Sequence, residues 1–279
     1  MKMKKRLKER LPLLFIFLVL AAGVATMGYP VLSNWICEYT ASVDIASYNA
    51  VVEEQDTSEL DAMLEAAVEY NAVLSGSSSS DSVADYEDLL TVTDVIGYIE
   101  IPKLGVYLPI YHGVEDDVLQ KGIGHMPETS LPVGGESTHA VLSGHTGLPA
   151  AKLFTDLDQM EEGDMFYIHV LNRILAYQVD QIKIVLPDET DDIRIVEGED
   201  YVTLLTCTPY GVNSHRLLVR GTRVEYTSEV VSVQAPADTT TKQKIPVSKI
   251  LWYGALAGGA VLLVIILLIL FAPGKRKKK

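Results

Sequence analysis

Two long uncharged runs, one near each end of the chain, constrain its architecture more than any other feature. Residues 11–37 and 250–272 carry no charged side chain, and each run is long enough to cross a membrane as a helix. A basic cluster lies directly outside each run, with six basic residues in the first ten positions and five in the last five. Since basic flanks stay in the cytoplasm, we expect both termini inside and the middle of the chain outside.

The first run also admits a second interpretation. Gly23-Val24-Ala25 fits a signal-peptidase site, so a cleaved signal peptide is the alternative to an N-terminal anchor. The two basic clusters leave 12 basic and 36 acidic residues for the rest of the chain, a net charge of -24. An acidic exterior repels phosphate, so we expect the membrane, and no nucleic acid, among the partners.

The spacing of apolar residues changes twice between the two uncharged runs. Residues 41–74 carry apolar side chains at spacings of three and four, which predicts a helical extension, and a serine-rich loop follows at 75–80. From residue 95, short β-branched and aromatic runs predict strands over 96–101, 106–111, 139–142, 165–170, 175–185, 201–206 and 217–224. Seven or eight strands in so short a region favour a closed or nearly closed β-barrel. The predicted division is an anchor or signal over 1–37, a helical extension and lid-like segment over 38–94, the barrel over 95–226, a linker over 227–249, a transmembrane helix over 250–272 and a cytoplasmic tail over 273–279.

Only two cysteines are present, too few for a disulfide framework. Cys37 lies beside the first apolar run, whereas Cys207 follows the predicted strand 201–206 and precedes a Pro-Tyr-Gly turn. A lone thiol at this place either fills a core or acts as a nucleophile. A nucleophile needs a group that favours the thiolate and a donor for a developing oxyanion.

Several basic side chains could supply these partners. His145 is the most suggestive histidine, because the Leu-Ser-Gly-His-Thr-Gly turn places it directly after a strand, and His215 is its competitor on the strand after Cys207. Arg216 and Arg220 are four residues apart, so a regular strand points both to one face. Either arginine is suited to hydrogen bonding of substrate or oxyanion, with a surface salt bridge as the alternative.

Three motifs in this region resemble those of sortases. Residues 203–207, Thr-Leu-Leu-Thr-Cys, resemble the TLxTC signature, and residues 143–147 and 213–221 resemble the histidine loop and the arginine strand of that family. Four further stretches, at 97–102, 109–113, 130–135 and 151–157, resemble class C sortases, the pilin-polymerising branch. The predicted helical extension and C-terminal membrane helix also fit that class.

This resemblance implies an eight-stranded sortase barrel and a catalytic trio of Cys207, His145 and Arg216. It further implies a cysteine transpeptidase that cleaves an LPXTG-like signal between Thr and Gly and passes the acyl group to a lysine of a pilin subunit, without metal or organic cofactor. A sortase that anchors surface proteins to peptidoglycan, a plain cysteine protease and a membrane-tethered binding module with an inert cysteine are the alternatives.

One departure from class C concerns the lid. Class C sortases usually carry an Asp-Pro-aromatic motif before the barrel, and its nearest counterpart here is Asp81-Ser82-Val83. That segment lacks the proline and the aromatic ring, so we expect it to be a loose cover at best, although Asp81 retains a carboxylate that could meet Arg216.

Overall fold

The computed structural model describes residues 2–79, 84–148 and 151–226. The predicted linker, second membrane run and basic tail, and the possible lid residue Asp81, lie outside the described residues. The chain divides into two units, one containing residues 1–27 and the other beginning at Gly28.

The N-terminal unit contains the beginning of helix α1, which runs from Lys2 to Glu54. From Phe15 onward this helix is long and apolar enough to cross a membrane, the one helix of the described residues that is. The large apolar side chains from Phe15 to Leu20 are exposed, as expected of a segment made for an apolar surrounding. This observation fits both sequence interpretations, a membrane anchor and a signal sequence.

In the second unit, two helices pack outside the barrel. The later part of α1 buries Ile45 and Tyr48 against it, and the Tyr48 hydroxyl accepts from the Leu171 N–H at 2.6 Å and donates to the Ile96 carbonyl at 3.3 Å. The sequence predicts one helix over 41–74, but a second helix, α2 (Thr57–Leu74), begins after a break. Asp56 causes that break, because its side chain accepts a hydrogen bond from the N–H of Ser58 and caps the new helix.

Eight strands close into a barrel in the order β1-β2-β3-β4-β7-β8-β6-β5, which confirms the predicted fold class. The β2–β3 and β4–β7 pairs are parallel and the other pairs are antiparallel. One short helix, α3 (Asp116–Leu119), precedes β3. The strands are β1 (Val95–Ile101), β2 (Val106–His112), β3 (Ile123–His125), β4 (Thr138–Ser143), β5 (Met165–Val170), β6 (Arg173–Val185), β7 (Asp200–Thr208) and β8 (His215–Val224).

The barrel interior is filled by apolar side chains from neighbouring strands. Leu142 of β4 pairs with Leu204 of β7, which pairs with Val219 of β8, and all three have no exposed surface. Because side chains alternate along a strand, residues at odd distances from Leu204 face outward. This alternation puts Cys207 on the outer face of the barrel.

Candidate active site

Cys207 and Arg216 are direct neighbours across two antiparallel strands. In the register of β7 with β8, Cys207 pairs with Arg216. The side chains of such a pair point to the same face, with Cβ atoms about 5 Å apart. Both residues are half-buried, so the thiol and the guanidinium border the solvent instead of filling the core.

His145 reaches the same end of the barrel from the other side of β7. Strand β4 runs parallel to β7 with Ser143 opposite Leu205, and the Gly144 N–H continues this pairing by donating to the Leu205 carbonyl at 3.0 Å. β4 ends at Ser143, and His145 lies two residues beyond it, as Cys207 lies two residues beyond Leu205 on β7. The parallel register therefore puts His145 at the end of the barrel where Cys207 and Arg216 form a pair.

The turn that carries His145 has little freedom. A side chain at Gly144 would place its Cβ 2.7 Å from Phe154 and 2.8 Å from Ile123, so only glycine fits there. The carbonyl of His145 accepts from the Phe154 N–H at 3.1 Å. Gly144 and the main-chain carbonyl of His145 are thus both held against the body of the barrel.

The two arginines of β8 have different surroundings. Arg220 makes a bidentate ion pair with Asp180, at 3.1 Å and 2.7 Å, and its guanidinium lies 4.1 Å from the ring centre of Tyr201. Asp180 comes into reach because the β6–β8 register shifts between Val179 and Gln181. The hydrogen bonds described for Arg216 go only to main-chain carbonyls, those of Asn213 at 3.3 Å and His215 at 3.1 Å.

His215, the competing histidine, lies one residue away from the Cys207–Arg216 pair. It pairs with Thr208, and alternation turns both of these side chains to the opposite face. Its Nδ1 lies 2.9 Å from the hydroxyl of Ser214. His215 is therefore turned away from the face that carries Cys207.

Four further histidines have structural partners. His139 is buried between the Arg194 carbonyl and the Thr203 hydroxyl, at 2.8 Å and 2.7 Å, and burial lowers its pKa. His125 is fully buried, and desolvation lowers its pKa to about 4. His169 stacks on Tyr98 at 4.2 Å. His112 likewise packs edge-on against a tyrosine, Tyr86, at 4.8 Å.

The other cysteine, Cys37, contacts a different part of the structure. Its Sγ lies 3.9 Å from the carbonyl of Lys121. Both cysteines are free, so the structure contains no disulfide between them. In the part of the chain that the structure describes, no cluster of His, Cys, Asp and Glu has the arrangement of a metal site.

A cavity of about 490 Å³ lies elsewhere, between α1 and the end of β2. Asp44, Glu87, Asp94 and Lys121 are among its lining residues, whereas Cys207, His145 and Arg216 are not. We therefore locate the candidate chemistry at the open outer face of β7 and β8 and not in this cavity.

Sequence reasoning missed one residue of this region. Thr206 is 3% exposed, and its hydroxyl donates to the Gly144 carbonyl at 2.7 Å. The sequence did contain a signal for it: Thr206 is a polar residue at an inward-facing position of β7, where Val202 and Leu204 fill the core.

Comparison with known proteins supports this description. Residues 99–224 match the family model of the sortase domain. Sortase D of Bacillus subtilis is 32% identical over 131 residues, which are 46% of this chain and 63% of that protein. Sortase A of Streptococcus agalactiae is 30% identical over 133 residues, 47% of this chain and 53% of that protein. The chain thus spans less than two thirds of the length of these curated relatives.

Solved structures are more similar. Sortase C of Streptococcus pneumoniae is 48% identical with a TM-score of 0.61, covering 66% of this chain and 97% of that one. Sortase C1 of Streptococcus agalactiae is 49% identical with a TM-score of 0.64, covering 68% and 98%. Sortase C of Clostridium perfringens, solved with the C-terminal cell wall sorting motif, is 48% identical with a TM-score of 0.61, covering 67% and 100%. With nearly the whole length of these proteins matched, the chain belongs to the sortase family.

Proposed function

We propose that this protein is a membrane-held cysteine transpeptidase that joins pilin subunits carrying LPXTG-like sorting signals. The observation that supports it is the placement of Cys207, His145 and Arg216 at one end of β4, β7 and β8. Sortases are cysteine transpeptidases, and the solved relatives are sortases of class C. One of them was studied for its pilin substrate specificity, and another comes from a pilus island.

The first half of the proposed reaction forms a thioester. The thiolate of Cys207 attacks the carbonyl carbon of the Thr–Gly peptide bond, and Arg216 donates hydrogen bonds to the oxyanion that develops. The C–N bond then breaks while the imidazolium of His145 gives its proton to the leaving amine. The acyl group stays on Cys207 and the glycine-bearing fragment departs.

The second half transfers the acyl group to an amine. A lysine amine of another pilin subunit attacks the thioester carbonyl, and neutral His145 takes the proton that the nitrogen loses. Collapse of the intermediate releases the Cys207 thiolate and leaves an isopeptide bond. The reaction needs no net oxidant or reductant and restores the starting enzyme.

The proposed location is the outer face of the cytoplasmic membrane. The basic N-terminal cluster and the apolar helix from Phe15 support an anchor that leaves the barrel outside. Substrates that are themselves held in the membrane would then meet the enzyme at a raised effective concentration.

Mass spectrometry of the full chain in detergent, incubated with an LPXTG peptide and an amine, tests the proposal. We expect cleavage between Thr and Gly, an acyl adduct on Cys207 and an amide product with a lysine-bearing pilin fragment. Transfer only to a peptidoglycan stem amine would assign the chain to cell-wall anchoring. Hydrolysed acid as the main product in excess amine would indicate a protease, and absence of any adduct would contradict the enzymatic proposal.

A further inference from the structure

A hydroxyl group lies inside the barrel next to the proposed nucleophile. Thr206 lies on the inward-facing side of β7, together with the apolar Val202 and Leu204, and it is 3% exposed. A buried hydroxyl without a partner is costly, so its partner is informative. The Thr206 Oγ1 donates to the main-chain carbonyl of Gly144 at 2.7 Å, across 62 residues of sequence.

The bonded carbonyl belongs to the peptide group that joins Gly144 to His145. The N–H of Gly144 donates to the Leu205 carbonyl at 3.0 Å, so β7 holds Gly144 through both its N–H and its C=O. The main-chain bond fixes how far β4 extends along β7. The bond from Thr206 additionally fixes the rotation of the peptide plane from which His145 begins.

We infer that Thr206 is a positioning residue that orients His145 toward Cys207 through the Gly144 carbonyl. The inference rests on the proposed roles of Cys207 and His145. Thr206 directly precedes Cys207, so one strand carries both the nucleophile and the group that holds the proton donor in place. Because proton transfer needs the imidazole within hydrogen-bond reach of the reacting atoms, a small rotation of this peptide slows the chemical step.

Thr206→Val keeps the shape of the side chain and removes the donor. We expect kcat for peptide cleavage to fall about 30-fold and KM to stay within about twofold, since the substrate contacts are unchanged. Thr206→Ser restores the donor, and we expect it to recover kcat to within about threefold of the parent. Thr206→Ala, which removes the same donor without an isosteric replacement, should reproduce the kcat loss should the valine variant not fold.

Thr203 offers a matched control on the same strand. It is also a fully buried threonine, but the hydrogen bond of its hydroxyl is with His139, at 2.7 Å, and not with the peptide that precedes His145. Thr203→Val should lower the melting temperature of the full chain. Its kcat at a temperature well below melting should remain within about twofold of the parent.

A second readout does not depend on turnover. In a Cys37→Ser background, alkylation reports Cys207 alone, and the pH profile of its rate depends on where the His145 imidazole lies. We expect Thr206→Val to shift that profile and Thr206→Ser and Thr203→Val to leave it unchanged. A merely structural role of Thr206 would move the melting temperature but not this profile.

The outcomes separate the inference from the proposed function. If the parent forms no acyl adduct on Cys207, the proposed function fails, while a shifted alkylation profile in Thr206→Val still supports the link between Thr206 and the thiol. If the parent is active and Thr206→Val matches it in kcat and in profile, the inference alone is overturned. The inference is equally overturned if Thr206→Ser is as slow as Thr206→Val, or if Thr203→Val shows the same kcat loss.

Discussion

Alternation along two strands determines which single residues meet at the proposed site. Cys207 and Arg216 share the outer face as a direct pair, whereas His215 and Thr208, one position on, face the other way. Arg216 is therefore a candidate for a role in the chemistry, whereas His215, one residue before it, is not.

Substitutions at these positions should follow that geometry. We expect Cys207→Ala to abolish peptide cleavage and His145→Ala to reduce kcat/KM about 1,000-fold, because a nucleophile and a proton donor are lost. Arg216→Lys should lose about tenfold or more, since one ammonium does not reproduce a planar fork of donors. His215→Ala should cost less than about threefold. Steady-state kinetics with an LPXTG peptide measures all four.

The relative losses of activity in His145→Ala and His215→Ala are the most informative part of this series. An active His145→Ala together with an inactive His215→Ala would show that the proton donor is misassigned. Cys37→Ser serves as the control for thiol loss, because Cys37 contacts the Lys121 carbonyl and none of the three proposed groups.

His125 predicts acid sensitivity of the fold. Its Nε2 donates to the Ser130 carbonyl at 2.8 Å, so Nδ1 is the unprotonated nitrogen and accepts from the Tyr86 hydroxyl at 2.8 Å. Burial lowers the pKa from 6.5 to about 4. The unfolded chain therefore binds the extra proton first, and stability present above pH 6.5 is lost as the pH falls toward 4, by about 3 kcal/mol.

Urea unfolding of the full chain in detergent between pH 4 and 7.5 measures this loss. His125→Gln should be less stable than the parent at pH 7.5 but should lose less stability on acidification, because one titrating group is gone. Identical pH dependence in the two proteins would contradict the assignment. Burial also lowers the pKa of His112 and His139, so part of the dependence should persist in the variant.

At the scale of elements, the side chain of Asn71 connects helix α2 to the loop between β3 and β4. Asn71 is 3% exposed; its Oδ1 accepts from the Leu131 N–H at 2.7 Å and its Nδ2 donates to the Leu131 carbonyl at 3.0 Å. The carbonyl also accepts from the Val133 N–H at 2.8 Å. The Leu131 N–H is therefore the group that depends on Asn71.

Asn71→Ala should destabilise the protein by about 2 kcal/mol, because it leaves a buried N–H without an acceptor. Glu69→Ala, at an exposed position of the same helix, should change stability by less than about 0.5 kcal/mol. Urea unfolding at neutral pH compares the two variants. Equal midpoints would mean that apolar packing alone holds α2.

Most strands of the barrel are predictable from the alternation of side chains in the sequence, and the parts that were missed have local causes. The predicted strand 165–170 coincides with β5, and the other predicted strands differ from the observed ones by one or two residues at their ends. The sequence does not predict β3, because Ile123–His125 is three residues long and contains a glycine. The break at Asp56 is missed because Val52 and Leu60 are eight residues apart, which keeps the helical phase across the polar residues 53–59.

The candidate site was predictable only in part from the residues themselves. The position of Cys207 at a strand end and the shared face of the two arginines follow from chain order and alternation. The position of His145 at the end of the barrel that carries Cys207 depends on the parallel pairing of β4 with β7, a non-local contact that periodicity does not encode. Motif resemblance supplied that juxtaposition, but it did not supply the role of Thr206.

At the scale of the whole molecule, charge and hydropathy predict how the chain is oriented. Basic clusters lie outside both apolar runs, so we expect both termini in the cytoplasm and residues from about 37 to 248 outside. Protease added to intact protoplasts should remove a barrel epitope and spare a C-terminal tag. Digestion of the tag would contradict two anchors, and a mature N-terminus near Thr26 would replace the first anchor with a cleaved signal peptide.

The parallel pairing of β4 with β7 also has a consequence for the order of folding. A chain that has emerged only through β6 holds His145 but lacks Cys207, and β4 then lacks β7, its parallel neighbour. Contacts between segments this distant in sequence form late, because loop closure precedes any gain from pairing. The proposed site is thus complete only when β7 has inserted between β4 and β8. Until then, a chain that is still being exported cannot cleave peptides.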